Sequence, residues 1–172
     1  MIALASLFVA AFLAAASPTL DASLARETVE SLALRERYKV PAPKGEATIY
    51  VRSVAAHHIR SEFSTIAWRD ASGAWSVSRM GEDGPGGLLP IETRLLPEEV
   101  RKLSAEEGRA LDLLLAEAAL YDETPADGRR PGIGTPFHVM EIVAGDRRAV
   151  FRWYGQLEAR AGKVADLVFG VP

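Results

Sequence analysis

The sequence contains no cysteine, and that absence removes a whole set of chemistries. Disulfide scaffolds, thiolate zinc sites, c-type haem attachment, cysteine nucleophiles and lipoprotein-type anchoring are all excluded. Histidine is scarce, at 3 residues in 172. Neither sign of charge dominates, because 20 Lys+Arg stand against 23 Asp+Glu for a formal net charge of −3. A dedicated nucleic-acid surface needs a basic excess, so no nucleic-acid partner is expected. No internal period is found, which argues against solenoids and arrays. Beyond the N-terminus no apolar run approaches the roughly 20 residues that a bilayer crossing requires. What is present is a 48% hydrophobic fraction, sufficient for one domain with its own core.

Residues 1–20 carry no charge at all. Within them Leu7-Phe8-Val9-Ala10-Ala11-Phe12-Leu13 forms an apolar core that runs into Ala14-Ala15-Ala16-Ser17 and then Pro18. That order predicts a secretory signal peptide over residues 1–16, cleaved after Ala16, with cuts near Ala22 or Ala25 as alternatives. No Lys or Arg precedes the apolar core, so the free α-amino group must supply the positive charge. An uncleaved N-terminal anchor is the competing reading. The expected destination is the periplasm or the extracellular medium.

After the signal, residues 17–45 read as a helical and linker segment, and 46–172 as a single α+β domain. Residues 21–38 are helix-permissive, and Pro41-Ala42-Pro43-Lys44-Gly45 stops any helix. Ala47, Ile49 and Val51 alternate with polar residues at the period of a strand. Residues 59–80 read as a hairpin turning at Asp70-Ala71-Ser72-Gly73. Opposing Trp68 to Trp75, and Ile66 to Val77, makes one face apolar and is the preferred register. A glycine bulge at Gly73 would shift it by one and separate the two tryptophans. Gly81-Glu82-Asp83-Gly84-Pro85-Gly86-Gly87 reads as a loop.

A helical region is expected from Pro97 to about Tyr121. Ser104-Ala105-Glu106-Glu107 is a capping box inside it, and Leu111, Leu114, Leu115 and Ala118 make its apolar face. A Gly/Pro-rich loop follows over 127–136. The next hairpin turns at Gly145-Asp146, which opposes Ile142 to Ala149, Met140 to Phe151 and His138 to Trp153. Leu157, Ala161, Val164 and Val168 then predict a helix over 156–169. The fold class is therefore α+β: a mainly antiparallel sheet of about five strands (a three-strand meander plus a hairpin) with helices packed on one face.

Few residues suggest chemistry. His57 and His58 precede Glu62, and His138 precedes Glu141, but on strands these neighbours point to opposite faces. No metal site and no cofactor are expected. Ser64, Ser76 and Ser78 lie on predicted strands without a nucleophile elbow, so no catalytic residue is assigned. Glu98-Glu99 and Glu106-Glu107 suit helix starts, where the macrodipole favours acids. Trp68, Trp75 and Trp153 suit packing. The strongest partner-binding candidate is the loop with Arg129, Arg130, Gly132 and Gly134. Its backbone N–H groups and two guanidinium groups could hold an acidic group.

Leu103-Ser104-Ala105-Glu106-Glu107 leading into a leucine face, followed by a strand pair and a last helix, loosely resembles emfourin-type inhibitors of metalloproteases. The resemblance covers less than half of the chain, implies a protease-inhibitor-like module and transfers no functional residue. The sequence thus favours an exported, non-catalytic binding protein whose partner is an envelope or secreted protein. The alternatives are a small envelope hydrolase or metal-dependent enzyme using His57, His58 or His138, and the inhibitor-like module.

Overall fold

Period-two alternation of apolar side chains draws six strands into one sheet in the computed structural model, which describes residues 30–56, 59–85, 92–123, 132 and 134–170. A helix, α1, covers residues 30–37. Then come β1 (Ala47–Ala56), β2 (Ile59–Arg69), β3 (Trp75–Pro85) and β4 (Arg94–Lys102). Helices α2 (Ala105–Ala116) and α3 (Ala118–Tyr121) precede β5 (Phe137–Ala144), β6 (Arg147–Tyr154) and α4 (Arg160–Phe169). The strand order is β4-β3-β2-β1-β5-β6, and every neighbouring pair is antiparallel. The fold is thus α+β, built from a four-strand meander and a hairpin that docks on β1.

Ile49, Val51, Ala67, Val77, Met140, Ile142 and Phe151 point to one face of the sheet. There they form a single buried cluster with Leu111 and Leu115 of α2 and with Ala161, Val164 and Val168 of α4. The C-terminal helical pattern thus forms a helix packed on the sheet, over Arg160–Phe169 rather than from residue 156. Helix α1 instead packs on the opposite face, where the Arg35 guanidinium donates to the hydroxyls of Ser64 on β2 and Ser78 on β3. Helices consequently lie on both faces, because alternation left Ile66 and Met80 buried on the second face as well.

Three local expectations change. In the first hairpin Arg69 opposes Trp75 and Ala67 opposes Val77, so the register is the one with the glycine bulge. Gly73 sits at φ +84°, a conformation that favours glycine, and its N–H donates to the Asp70 carbonyl at 2.9 Å. Trp75 becomes core, and its indole N–H donates to Asp112 at 3.0 Å, while Trp68 faces the other side and is only half-buried.

Second, residues 81–85, read as loop, continue β3. Their glycines conceal a strand because the pairing with β2 is backbone-driven: Gly81 opposes Phe63 and Glu82 opposes Glu62. Third, residues 97–102 are not helix but the edge strand β4. The register with β3 slips between Arg79 and Gly81, placing Pro97 in a bulge, where a missing N–H does little harm. Glu98 and Glu99 are therefore strand residues and serve no helix dipole. The capping box does form one turn later: Glu107 N donates to the Ser104 hydroxyl, and Ser104 N to the Glu107 carboxylate, at 3.2 and 2.6 Å. The second hairpin keeps the predicted register throughout, from His138 opposite Trp153 to Ala144 opposite Arg147.

Candidate functional site

The helix-covered face carries its chemistry at the end where β1 finishes and β5 begins. One cross-strand row runs Gly81, Phe63, Ser53, His138 and Trp153. The next runs Glu99, Arg79, Thr65, Val51 and Met140. The last turn of α4 lies over both rows through Val168 and Phe169.

His138 shares a 2.8 Å hydrogen bond between its Nδ1 and the Ser53 hydroxyl. Its ring stacks on Trp153 at 4.9 Å and meets Phe169 at 5.6 Å between centroids. Burial in this aromatic box lowers the imidazole pKa from the ordinary 6.5 to about 4. A histidine so held is neutral and a weak base at neutral pH. Between those two values the unfolded chain binds a proton that the folded chain refuses. Stability is therefore complete above pH 6.5 and is lost as pH falls toward 4. The loss should amount to about 3 kcal/mol. Replacing His138 by Asn is expected to flatten denaturant midpoints across that window, and an unchanged slope would mean the imidazole is not responsible.

Beside this box the sheet is less covered. A recess of about 240 Å³ is lined by Thr65, Val77, Arg79, Glu99, Val168 and Phe169. A second, of about 300 Å³, lies across Arg79 against Phe63, Leu96 and Pro97. The Arg79 guanidinium rests over the Phe63 ring at 4.2 Å. Arg101 closes the α4 side by donating to the carbonyls of Leu167 at 2.7 Å and Val168 at 3.4 Å.

The opposite face bears a dense ionic lattice. Glu62 and Glu82 oppose each other on β2 and β3, and both are buried. Arg52 and Arg60 pair with Glu62 at 2.8 and 2.9 Å, and Arg37 and Tyr38 hold Glu82. Burial pushes the Glu82 carboxyl up, but hydrogen bonds from Arg37 and Tyr38 outweigh it and leave the pKa lowered. Both acids are neutralised by guanidinium groups, and Glu82 through Arg37 ties the end of α1 to the sheet, which is a structural use.

His57, His58, Arg129 and Arg130 lie outside the described residues. Gly132 and Gly134 are exposed, and Thr135 N donates to the Gly132 carbonyl at 3.1 Å, with Gly134 at φ +79°. Ser64 and Ser78 are buried as ligands of Arg35, and Ser76 is buried with no histidine bonded to it among the described residues. His138 and Glu141 point to opposite faces, and Glu141 instead accepts from Arg148 at 2.6 Å. Among the described residues no three or more His, Asp or Glu converge on a metal position. Nor is any helix among them long and apolar enough to cross a membrane. The sequence reading missed Ser53, Thr65 and Arg79. The only trace of them was the strand parity that faces Ser53 toward His138, and it required knowing that β5 docks on β1.

Together the fold and these rows define a six-stranded antiparallel α+β protein with a partly open sheet face. No family model matches the sequence, and no curated protein matches it.

Proposed function

We propose that this chain is an exported, non-catalytic binding protein. The observation that carries the reading is the contrast within one sheet face. Apolar side chains of α2 and α4 close it over β1, β5, β6 and the Trp75–Val77 start of β3, whereas Phe63, Arg79, Leu96 and Glu99 line open recesses farther along β2, β3 and β4. Open ground lined by an aromatic ring and charges of both signs suits recognition. Export is supported by the apolar core at residues 7–13 with Ala14-Ala15-Ala16-Ser17 behind it. The partner would be an envelope or secreted protein, met in part by Arg129 and Arg130 ahead of the Gly132–Thr135 turn.

A small hydrolase is the second reading, and the Ser53–His138 hydrogen bond is what favours it. Two facts weigh against it. The imidazole is a poor base at neutral pH, and among the described residues no carboxylate orients it.

Two measurements decide. Incubation with a fluorophosphonate probe should leave the intact mass unchanged, and an adduct mapped to Ser53 would overturn the non-catalytic reading. In-cell crosslinking with mass spectrometry should capture an envelope partner. Changing Arg129 and Arg130 together to Ala should weaken that capture and flatten its salt dependence. A large fall in melting temperature with undiminished capture would assign those arginines to the fold instead.

A further inference from the structure

The recess against the last turn of α4 has three features that together describe a ligand. Thr65 is 1% exposed, and its hydroxyl has no hydrogen-bond partner among the described residues. Buried polar groups are normally paired, and Thr65 is one of the residues that line the recess. Arg79 and Glu99 stand directly opposite each other on β3 and β4 yet form no ion pair among the described residues, because Arg79 lies over the Phe63 ring. Arg101, the other cation at the rim, is already matched by Glu107 and by the α4 carbonyls. The recess therefore offers a cation and an anion without an ion pair among the described residues, and a hydroxyl, set beside Val77, Val168 and Phe169.

A simple anion would be repelled by Glu99 and a simple cation by Arg79, whereas a dipolar molecule satisfies both. The volume of about 240 Å³ lies below the usual range for drug-sized ligands. We propose that this recess binds a free α-amino acid with a branched aliphatic side chain. Its carboxylate meets Arg79 and the Thr65 hydroxyl, its ammonium meets Glu99, and its side chain lies against Val77, Val168 and Phe169. The proposal rests on the binding-protein reading and names a ligand class for the open part of that face.

Isothermal titration of the purified protein with L-leucine tests it. Saturable binding is expected, with 4-methylpentanoate and isopentylamine, which each lack one charge, at least tenfold weaker. Thr65→Val should weaken leucine binding about fivefold, and Arg79→Gln at least tenfold, with both variants melting near the parent. Absence of leucine binding up to about 10 mM would overturn the proposal, as would affinity unchanged in both variants. N-acetyl-leucine binding as tightly as leucine would point to a peptide C-terminus and overturn the pairing of ammonium with Glu99. A silent titration with Ser53 unlabelled by the phosphonate leaves the binding reading standing. Labelling of Ser53 removes that reading whatever leucine does.

Discussion

Replacing Gly162 by alanine is expected to destabilise the protein by about 3 kcal/mol, the reverse of what helix propensity alone predicts. Gly162 lies in the first turn of α4 and is buried. In an unconstrained helix the substitution would gain about 1 kcal/mol, because alanine loses less chain entropy on folding than glycine. Here a β-carbon would stand 1.7 Å from the carbonyl oxygen of Leu157 and 2.8 Å from its carbonyl carbon. Both are backbone atoms, so no side-chain rotation relieves the clash. The segment before α4 would have to move, and with it Leu157, which packs against the core. Thermal unfolding should show a fall of roughly 6–12 °C for a chain of this size. A variant as stable as the parent would mean that the 157–162 segment repacks freely.

The second large effect is expected at Arg35, which is 1% exposed although it carries a full charge. Its guanidinium donates to the Ser64 hydroxyl at 3.1 Å, the Ser78 hydroxyl at 2.7 Å and the Ser78 carbonyl at 3.3 Å. It also pairs with the Glu98 carboxylate at 2.8 Å. Ser78 donates a further short hydrogen bond to the same carboxylate oxygen. Arg35→Ala leaves these groups without their common donor and should cost about 3–5 kcal/mol by urea unfolding. Arg35→Lys should recover only part of this, since a single ammonium cannot reproduce the planar fork. A loss below about 1 kcal/mol for the alanine variant would mean that α1 contributes little to the folded body.

The same cluster sets an acid limit. Burial raises the Glu98 pKa, but hydrogen bonds from Ser78 and Arg35 outweigh it, so the folded value lies below the ordinary one. Its contribution is therefore present above the unfolded carboxylate value and is lost as pH falls through the folded value.

Much of this architecture is written in short-range signals. Alternation marked β1 and the β5–β6 hairpin, Gly145-Asp146 set the second register, and Ser104 with Glu107 marked the start of α2. Each of these is decided by neighbours within a few residues, where turn chemistry and periodicity act directly. The sequence placed Glu98 at a helix start and Glu82 in a loop and did not single out Arg35, because nothing local distinguishes a buried arginine from an exposed one. The docking of α1 pairs Arg35 with Glu98 and Arg37 with Glu82, and the β1–β2 pairing brings Arg52 to Glu62. Residues 81–85 read as loop because glycine and proline are local breakers, and 97–102 read as helix because a proline followed by acids resembles a helix start, whereas pairing with β2 and β3 made both strands. The first hairpin allowed two registers, and the core under α2 admitted the one that buries Trp75. The Ser53–His138 contact and the recess at Thr65 and Arg79 depend on β5 joining β1 and on where α4 ends. Those are contacts between residues far apart in the chain, so only the assembled sheet could decide them.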